Sequence, residues 1–433
     1  MKESSIISLR WGDKMKLVEL SKTEFNEFTN YLEICPFEQS IYWANFKSGE
    51  NWHPYFLGLE DKNKLLGATL LLANENKSIK KRFFYAPQGF LIDYKNYDLL
   101  EIFTKEIINF VKEKNGIYLK IDPEILTTEK DEDGRELQGG INNLFIKDYL
   151  LKLGFIETDN NTLNPKYTMK LDLTDKSLND ILNNMSKKAR QIIKRNERLG
   201  YIVRELKQDE LPIFIKTMDK ISSKFNTIEY ELPFYEDLAS AFTKEHLKIM
   251  IAELDLNTTL NNLKKEEKVL QIEKEKRIGL YQNNQLTEET FIEKELGYKE
   301  QINIINKRRK YYLSLKEKTD NDKIFLGGYL FLMYGKEITA LIGGMDDEYI
   351  DLDVSYSIHF KMLKKAMEYG YRSYNFYEVK DLNDGSYYFK KNFGAEVFEH
   401  IGEFDYPIDM NAYNKYKRYF PSYYGVKTIY KNK

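Results

Sequence analysis

The sequence predicts a mixed α/β (α+β) protein of two similar halves, with a long antiparallel helical hairpin set into the second half. Three observations carry this. The chain has 433 residues, more than the roughly 250–300 at which a single hydrophobic core stops growing. Strand-like and helix-like stretches are mixed throughout, and the same kind of order appears twice. Between two strands of the second half, residues 255–320 form a proline-free stretch rich in Lys, Glu, Asn and Leu.

The elements follow in chain order. Residues 1–14 show no sustained periodicity and read as an extension. Regular patterning starts at Met15, with a strand at 16–20 and an amphipathic helix at 23–32. Strands are expected at 55–59, 65–73, 83–85 and 117–121, and a helix at 99–114 with Phe103, Ile107, Phe110 and Val111 on one face. The second half repeats this with strands at 167–173, 247–254, 326–334 and 373–376 and helices at 178–199 and 357–369. Gly154 and Gly370 each close a helical run, where glycine readily takes the left-handed cap. In the hairpin, Leu256, Leu260, Leu263 and Leu270, then Ile302, Ile305 and Tyr312, fall on coiled-coil seam positions, and Gln282-Asn283-Asn284-Gln285 supplies the turn. A solvated spacer without function is the competing reading of that mixed-charge stretch.

Composition narrows the function classes. Sixty-six Lys and Arg nearly cancel sixty-eight Asp and Glu, so the net charge of −2 gives no global field for nucleic acid or membrane. Any anionic partner must be met by a local patch. The single cysteine, Cys35, cannot form an internal disulfide, no secretory leader is visible, and no apolar run approaches the roughly 20 residues of a membrane span. A cytoplasmic protein is expected, with at most peripheral membrane contact. Gly335-Lys336 is followed by Glu337, so there is no P-loop. His53, His246, His359 and His400 lie far apart with no paired cysteines, so no metal site is expected. There is no G-x-S-x-G elbow to present a covalent nucleophile.

Five segments then carry a resemblance. They are Phe37-Glu38-Gln39-Ser40 with Trp43-Ala44-Asn45-Phe46-Lys47, Tyr85-Ala86-Pro87-Gln88-Gly89-Phe90, and Tyr118-Leu119-Lys120-Ile121-Asp122-Pro123. The others are Lys187-Lys188-Ala189-Arg190 through Gly200, and Tyr374-Asn375-Phe376-Tyr377 with Phe389-Lys390-Lys391-Asn392-Phe393-Gly394. In this order and spacing the chain resembles the FemABX family of tRNA-dependent peptidoglycan aminoacyltransferases, in particular its FemA/FemB branch. The resemblance implies two GNAT-like domains with an inserted coiled-coil arm. The expected layout is an extension at 1–14, a first domain at 15–165, a second at 166–254 and 321–400, the arm at 255–320, and a segment at 401–433 packing back on the first domain. It also implies transfer of Gly, Ala or Ser from aminoacyl-tRNA to the stem-peptide amine of lipid II or UDP-MurNAc-pentapeptide, without a cofactor. Action at the inner face of the plasma membrane and a homodimer are both compatible with it.

The resemblance also assigns roles residue by residue. Lys47 is implied to contact the precursor diphosphate, as an ammonium suits phosphate oxygens; a surface lysine ending a helical turn is the alternative. Phe389 and Lys390 match the aromatic and basic pair facing the acceptor end of the tRNA, with Lys390 the catalytic candidate for oxyanion stabilisation. Tyr235 and Tyr377 are implied to bind substrate, although a buried strand tyrosine is an equally good reading of Tyr377. One departure stands out: where a basic residue often precedes the Tyr235 position, this chain has Glu229, Tyr230 and Glu231. Lys187, Arg190, Lys194 and Arg198 share a helical face and could form a phosphate-facing patch or a merely solvated one. Two rivals remain at this stage, a precursor-binding scaffold and an acyl-CoA N-acyltransferase; the latter's pyrophosphate loop, [QR]-x-x-G-x-[GA], is not found.

Overall fold

The computed structural model describes residues 15–417 apart from 132–134, 159–164, 226–228, 320 and 381. The extension at 1–14 and the residues from 418 onward lie outside the described residues. The first part of the chain gives β1 (Lys16–Glu19), α1 (Lys22–Tyr31), α2 (Ile41–Gly49), β2 (Trp52–Asp61), β3 (Lys64–Asn76), β4 (Lys81–Ala86), α3 (Tyr97–Glu113), β5 (Gly116–Ile121), α4 (Leu144–Lys152) and β6 (Ile156–Thr158). There follow β7 (Tyr167–Asp172), α5 (Leu178–Asn184), α6 (Lys187–Leu199), β8 (Ile202–Glu205), α7 (Leu211–Phe225), α8 (Leu232–His246) and β9 (Leu247–Asp255). The arm is α9 (Leu256–Gln282) and α10 (Glu288–Lys318). Last come β10 (Lys323–Tyr334), β11 (Glu337–Met345), α11 (Val354–Glu368), β12 (Ser373–Val379), α12 (Gly385–Lys391), β13 (Glu396–Glu399), β14 (Glu403–Pro407) and α13 (Met410–Tyr416).

The strands form two seven-stranded sheets of matching order, β1-β2-β3-β4-β5-β14-β6 and β8-β9-β10-β11-β12-β7-β13. In each, a single neighbouring pair is parallel, β4 with β5 and β11 with β12, and all the others are antiparallel. This is a GNAT-type sheet made twice, so the predicted fold class is the observed one. β14, reached only after the second sheet is complete, returns to pair with β5 and β6 of the first.

Local chemistry sets the element ends. Ser21 and Glu24 make a capping box at α1, Glu24 N donating to Ser21 Oγ at 3.2 Å and Ser21 N to Glu24 Oε2 at 2.8 Å. α3 buries Leu100, Phe103, Ile107 and Val111 on the first sheet, each worth roughly 1.5–3 kcal/mol over exposure. A third cluster joins the halves: Phe25, Trp43, Phe46 and Phe56 of the first pack with Phe214, Tyr235, Phe242 and Tyr334 of the second. Gly335 fits there because a side chain at its φ of 54° would run into the Cys35 carbonyl, 2.1 Å from an added Cβ. Cys35 N donates to Gly335 O at 3.1 Å.

Two expectations need correction. The helix expected at 178–199 is broken at Met185, which is extended (φ −65°, ψ 145°), because Ser186 starts a new helix by accepting from Ala189 N at 3.1 Å. Arg190 is turned back onto the broken end, donating to Leu182 O at 2.8 Å and Met185 O at 3.0 Å, and Arg198 pairs with Glu266 of the arm. Two of the four cations that share that helical face are thus engaged within the protein. The arm's seam is also uneven. Leu256, Leu263, Ile305 and Tyr312 are buried in the second domain's core, with Tyr201 and Tyr312 hydroxyls 2.6 Å apart, whereas Val269, Ile292 and Leu296 toward the tip are exposed.

Candidate functional site

A polar cavity opens between the halves. From the first come Pro36, Phe37 and Glu38 in the turn before α2, Gln88 after β4 and Glu124 after β5; from the second come Thr168 on β7, Glu337 and Thr339 on β11, Asn375 and Tyr377 on β12, and His400. A smaller recess continues past Gln88, Asp122 and Glu403.

Each wall is fixed by buried polar contacts. Gln39 bridges β3 and the loop after β4: its Oε1 accepts from Leu70 N at 2.7 Å and its Nε2 donates to Gly89 O at 3.1 Å. Gln88 (φ 56°) is held by its N–H on Asp122 Oδ1 at 2.7 Å, while Tyr85 OH donates to the other Asp122 oxygen at 2.6 Å. Burial, then the Glu403 charge, push the Asp122 carboxyl up to about 8. On the far wall, Glu337 accepts from Ser373 Oγ at 2.6 Å, Asn375 Nδ2 at 2.9 Å and Lys170 Nζ at 3.0 Å, and Lys170 also pairs with Glu124 across the domains. Burial opposes charge on Lys170, but Glu124 and Glu337 overcome it and keep the ammonium. His400 lies 2.9 Å from Thr168 Oγ1, and burial with Lys170 nearby pushes its imidazole down to about 3, so it is neutral at pH 7.

Lys390 and Tyr377 are brought together. Tyr377 has a φ of 62°, where a non-glycine residue costs roughly 1–3 kcal/mol, and it sits at the irregularity that interrupts pairing of β12 with β7. Three contacts hold it: Tyr377 N donates to Asn375 Oδ1 at 2.8 Å, and Lys390 Nζ donates to Tyr377 O at 3.3 Å and to Glu378 O. Lys390 is only 7% exposed, and burial pushes its ammonium down to about 8. Phe389, half-buried, packs on Tyr356 and His359 at ring distances of 4.8 and 5.4 Å.

Lys47 lies apart from that pair. It is 0% exposed, near Trp43 and Phe46 at 5.5 and 5.4 Å, and ion-paired with Glu50; burial pushes it too down to about 8. Tyr235, 2% exposed, belongs to the shared core, with Phe214 and Phe234 at 5.9 and 5.4 Å. Its neighbour Tyr230, in the stretch where a cation is missing, stacks on Phe234 at 4.1 Å and feels the charges of both Glu378 and Glu50. Phe234 in turn packs on Phe46, beside Lys47, at a ring distance of 5.6 Å.

Sequence reasoning missed Glu38, Glu124, Lys170, Glu337 and His400 as cavity residues. A signal existed for one of them: Lys170, like Lys120 in the first sheet, interrupts an apolar strand at a buried position. A charge there calls for partners on a neighbouring strand.

Two sheets of one strand order around a shared cavity define a tandem-domain α/β protein. Comparison with known proteins narrows that class. The FemAB family profile matches residues 20–419, and the chain belongs to the FemAB family. It is 28% identical over 415 residues to an aminoacyltransferase FemA of Staphylococcus epidermidis, covering 93% of this chain and 98% of that one. An aminoacyltransferase FemA of Staphylococcus aureus is 27% identical over 414 residues, covering 93% and 97%. The crystal structure of FemX superimposes with a TM-score of 0.74 at 19% identity, over 92% of this chain and 99% of that one. The chain is therefore an aminoacyltransferase. No helix among the described residues is long and apolar enough to cross a membrane.

Proposed function

We propose that the chain transfers glycine, alanine or serine from aminoacyl-tRNA to the stem-peptide amine of a peptidoglycan precursor, lipid II or UDP-MurNAc-pentapeptide, and so builds an interpeptide bridge. The observation that carries this reading is the FemAB match over residues 20–419, with FemA relatives aligned along 93% of the chain. The reaction is aminolysis of an ester, which needs a neutral amine held against the ester carbonyl and a donor for the oxyanion that forms.

In this reading Lys390 supplies the oxyanion donor. Two of its three N–H groups are held by the Tyr377 and Glu378 carbonyls, which fixes the direction of the third. Tyr377 and Phe389 flank the acyl end, and Tyr235 buttresses the Tyr230–Phe234 stack beside it. Lys47 binds precursor diphosphate by exchanging its Glu50 partner for phosphate oxygens, an exchange of one anion for another at a buried ammonium. Catalysis takes place on the cytoplasmic side, where both charged tRNA and precursor are present.

The test is incubation of the protein with total charged tRNA and, separately, lipid II or UDP-MurNAc-pentapeptide, followed by product mass. A gain of one glycyl, alanyl or seryl residue supports the reading and names the amino acid. No adduct on either acceptor overturns it.

A further inference from the structure

We propose that the cavity between the domains seats a primary alkylammonium group of a substrate, with the Glu38 carboxylate as its counter-ion. This rests on the aminoacyl-transfer reading, in which the donor's amino acid and the acceptor peptide each carry such a group.

Glu38 is 3% exposed and lines the cavity. Among the described residues its carboxylate has no cation and no side-chain donor, only its own backbone N–H; the charges it feels, Glu124, Asp122 and Glu337, are all negative. The buried cations nearby are already held, Lys170 by Glu124 and Glu337, and Lys120 by Asp405 at 2.9 Å and Glu403 at 3.3 Å. The walls thus carry carboxylates in excess of ammonium groups, and Glu38 is the one left unmatched. Burial drives its carboxyl well up, which is how an unpaired buried acid responds and what an incoming cation reverses. Thr339, Tyr377 and the Gln88 amide add oxygen acceptors around the same space, as the three hydrogens of R–NH3+ require. The enclosed space is about 20 Å³, room for an ammonium head about the size of a water molecule, with the alkyl chain left toward the mouth.

Two variants remove the charge while keeping the volume: Glu38→Gln, and Glu38→Leu as a second in case the first does not fold. A buried carboxylate without a partner is replaced by an apolar group at little cost, so at least one is expected to fold. In the first arm, n-propylammonium is titrated into the full chain and binding is followed by calorimetry, with n-propanol as control. Wild type is expected to bind the amine at least about tenfold more tightly than the variants, as for a lost hydrogen bond to a charged group. Equal binding overturns the proposal. In the second arm, KM is measured for both substrates, and binding for their N-acetylated forms. A KM raised about tenfold for one substrate, with acetylation of that substrate erasing the difference between wild type and variant, identifies donor or acceptor as the source. Unchanged KM for both overturns the assignment to substrate. If wild type transfers nothing yet propylammonium still separates it from the variants, the amine seat stands and the transfer reading falls.

Discussion

The two domains repeat one strand order but differ in how their parallel pair ends. In the first, β4 and β5 pair along all of β4, from Arg82 opposite Gly116 through a single register shift before Phe83 to Ala86 opposite Ile121, and the chain then folds back so that Leu91 bridges to Ala68. In the second, β11 and β12 pair only from Glu337 opposite Ser373 to Thr339 opposite Asn375, and then part at the Tyr377 irregularity. Each domain also buries a lysine pushed down to about 8, but Lys47 is ion-paired with the Glu50 carboxylate whereas Lys390 donates to backbone carbonyls and feels the Glu378 and Asp384 charges without an ion pair among the described residues. Under the proposed function, the same fold would supply a binding platform in one copy and an electrophile-activating group in the other.

The largest expected effect tests that division directly. Lys390→Ala is expected to lower turnover about 100-fold, the scale for loss of one oxyanion donor; unchanged turnover would refute the role. The pH profile sharpens it. Lys390 is charged below about 8 and loses its proton above, so turnover should fall as pH rises past that point. Lys390→Arg, whose guanidinium stays charged, should lack this alkaline limb even if its overall rate is lower. A limb that persists in the Arg variant belongs to another group.

Lys47 should behave differently if the first domain is the platform. Lys47→Ala is expected to raise KM for precursor about tenfold with kcat little changed, since a diphosphate contact is present in both ground and transition states. A collapsed kcat at unchanged KM would reverse the roles assigned to the two domains. A smaller effect is expected from the arm. Because its base is part of the second core, the informative deletion removes only residues 269–303 and joins the stubs with a Gly/Ser linker, a closure that costs little. Melting temperature should hold within a few degrees while tRNA-dependent transfer falls several-fold and precursor affinity stays constant. Full activity would leave the tip as a spacer.

How much of this was legible follows from range. The arm was read at 255–320 and is found from Leu256 to Lys318, because heptad spacing is a local signal. The recurrence of strands and helices was likewise legible from the apolar runs of the longer strands, though β6, β8, β11 and β13 were not read. α7, α8 and β14 were not read; β14 is five residues long and becomes a strand by pairing with β5 and β6, far away in sequence. The break at Met185 was hidden because a Ser N-cap and an apolar stripe fit either one helix or two. Lys47, Lys390, Phe389, Tyr235 and Tyr377 were singled out by resemblance alone. The acids of the cavity have no local pattern: Glu38, Glu124 and Glu337 meet only because β5, β11 and the turn before α2 converge.

The smallest expected effect concerns stability and separates Glu38 from Glu337, an acid of the second domain on the same cavity. Glu337 is buried too, but Lys170, Ser373 and Asn375 hold its carboxyl below the usual value, so its charge is accommodated. Glu38 has no such partners and its carboxyl is driven up. A raised carboxyl means that the folded state holds a proton the unfolded state has already lost above about 4.5, so folding becomes less favourable as pH rises from there. Glu38→Gln cannot ionise and escapes this penalty. Its melting temperature should therefore match wild type near pH 4.5 and exceed it progressively at higher pH, by roughly 2 °C or more at pH 8. Glu337→Gln should do the opposite: it gives up stability that ionised Glu337 provides above the unfolded carboxyl range, so its deficit against wild type should widen as pH rises through that range and then level off. Melting curves of the three proteins from pH 3 to 8 decide the matter, the Glu337→Gln deficit opening below about 4.5 and the Glu38→Gln gain above it. A Glu38→Gln curve that falls below wild type with rising pH would mean that its charge is already balanced inside the protein, and the cavity would then have no vacancy for a cation.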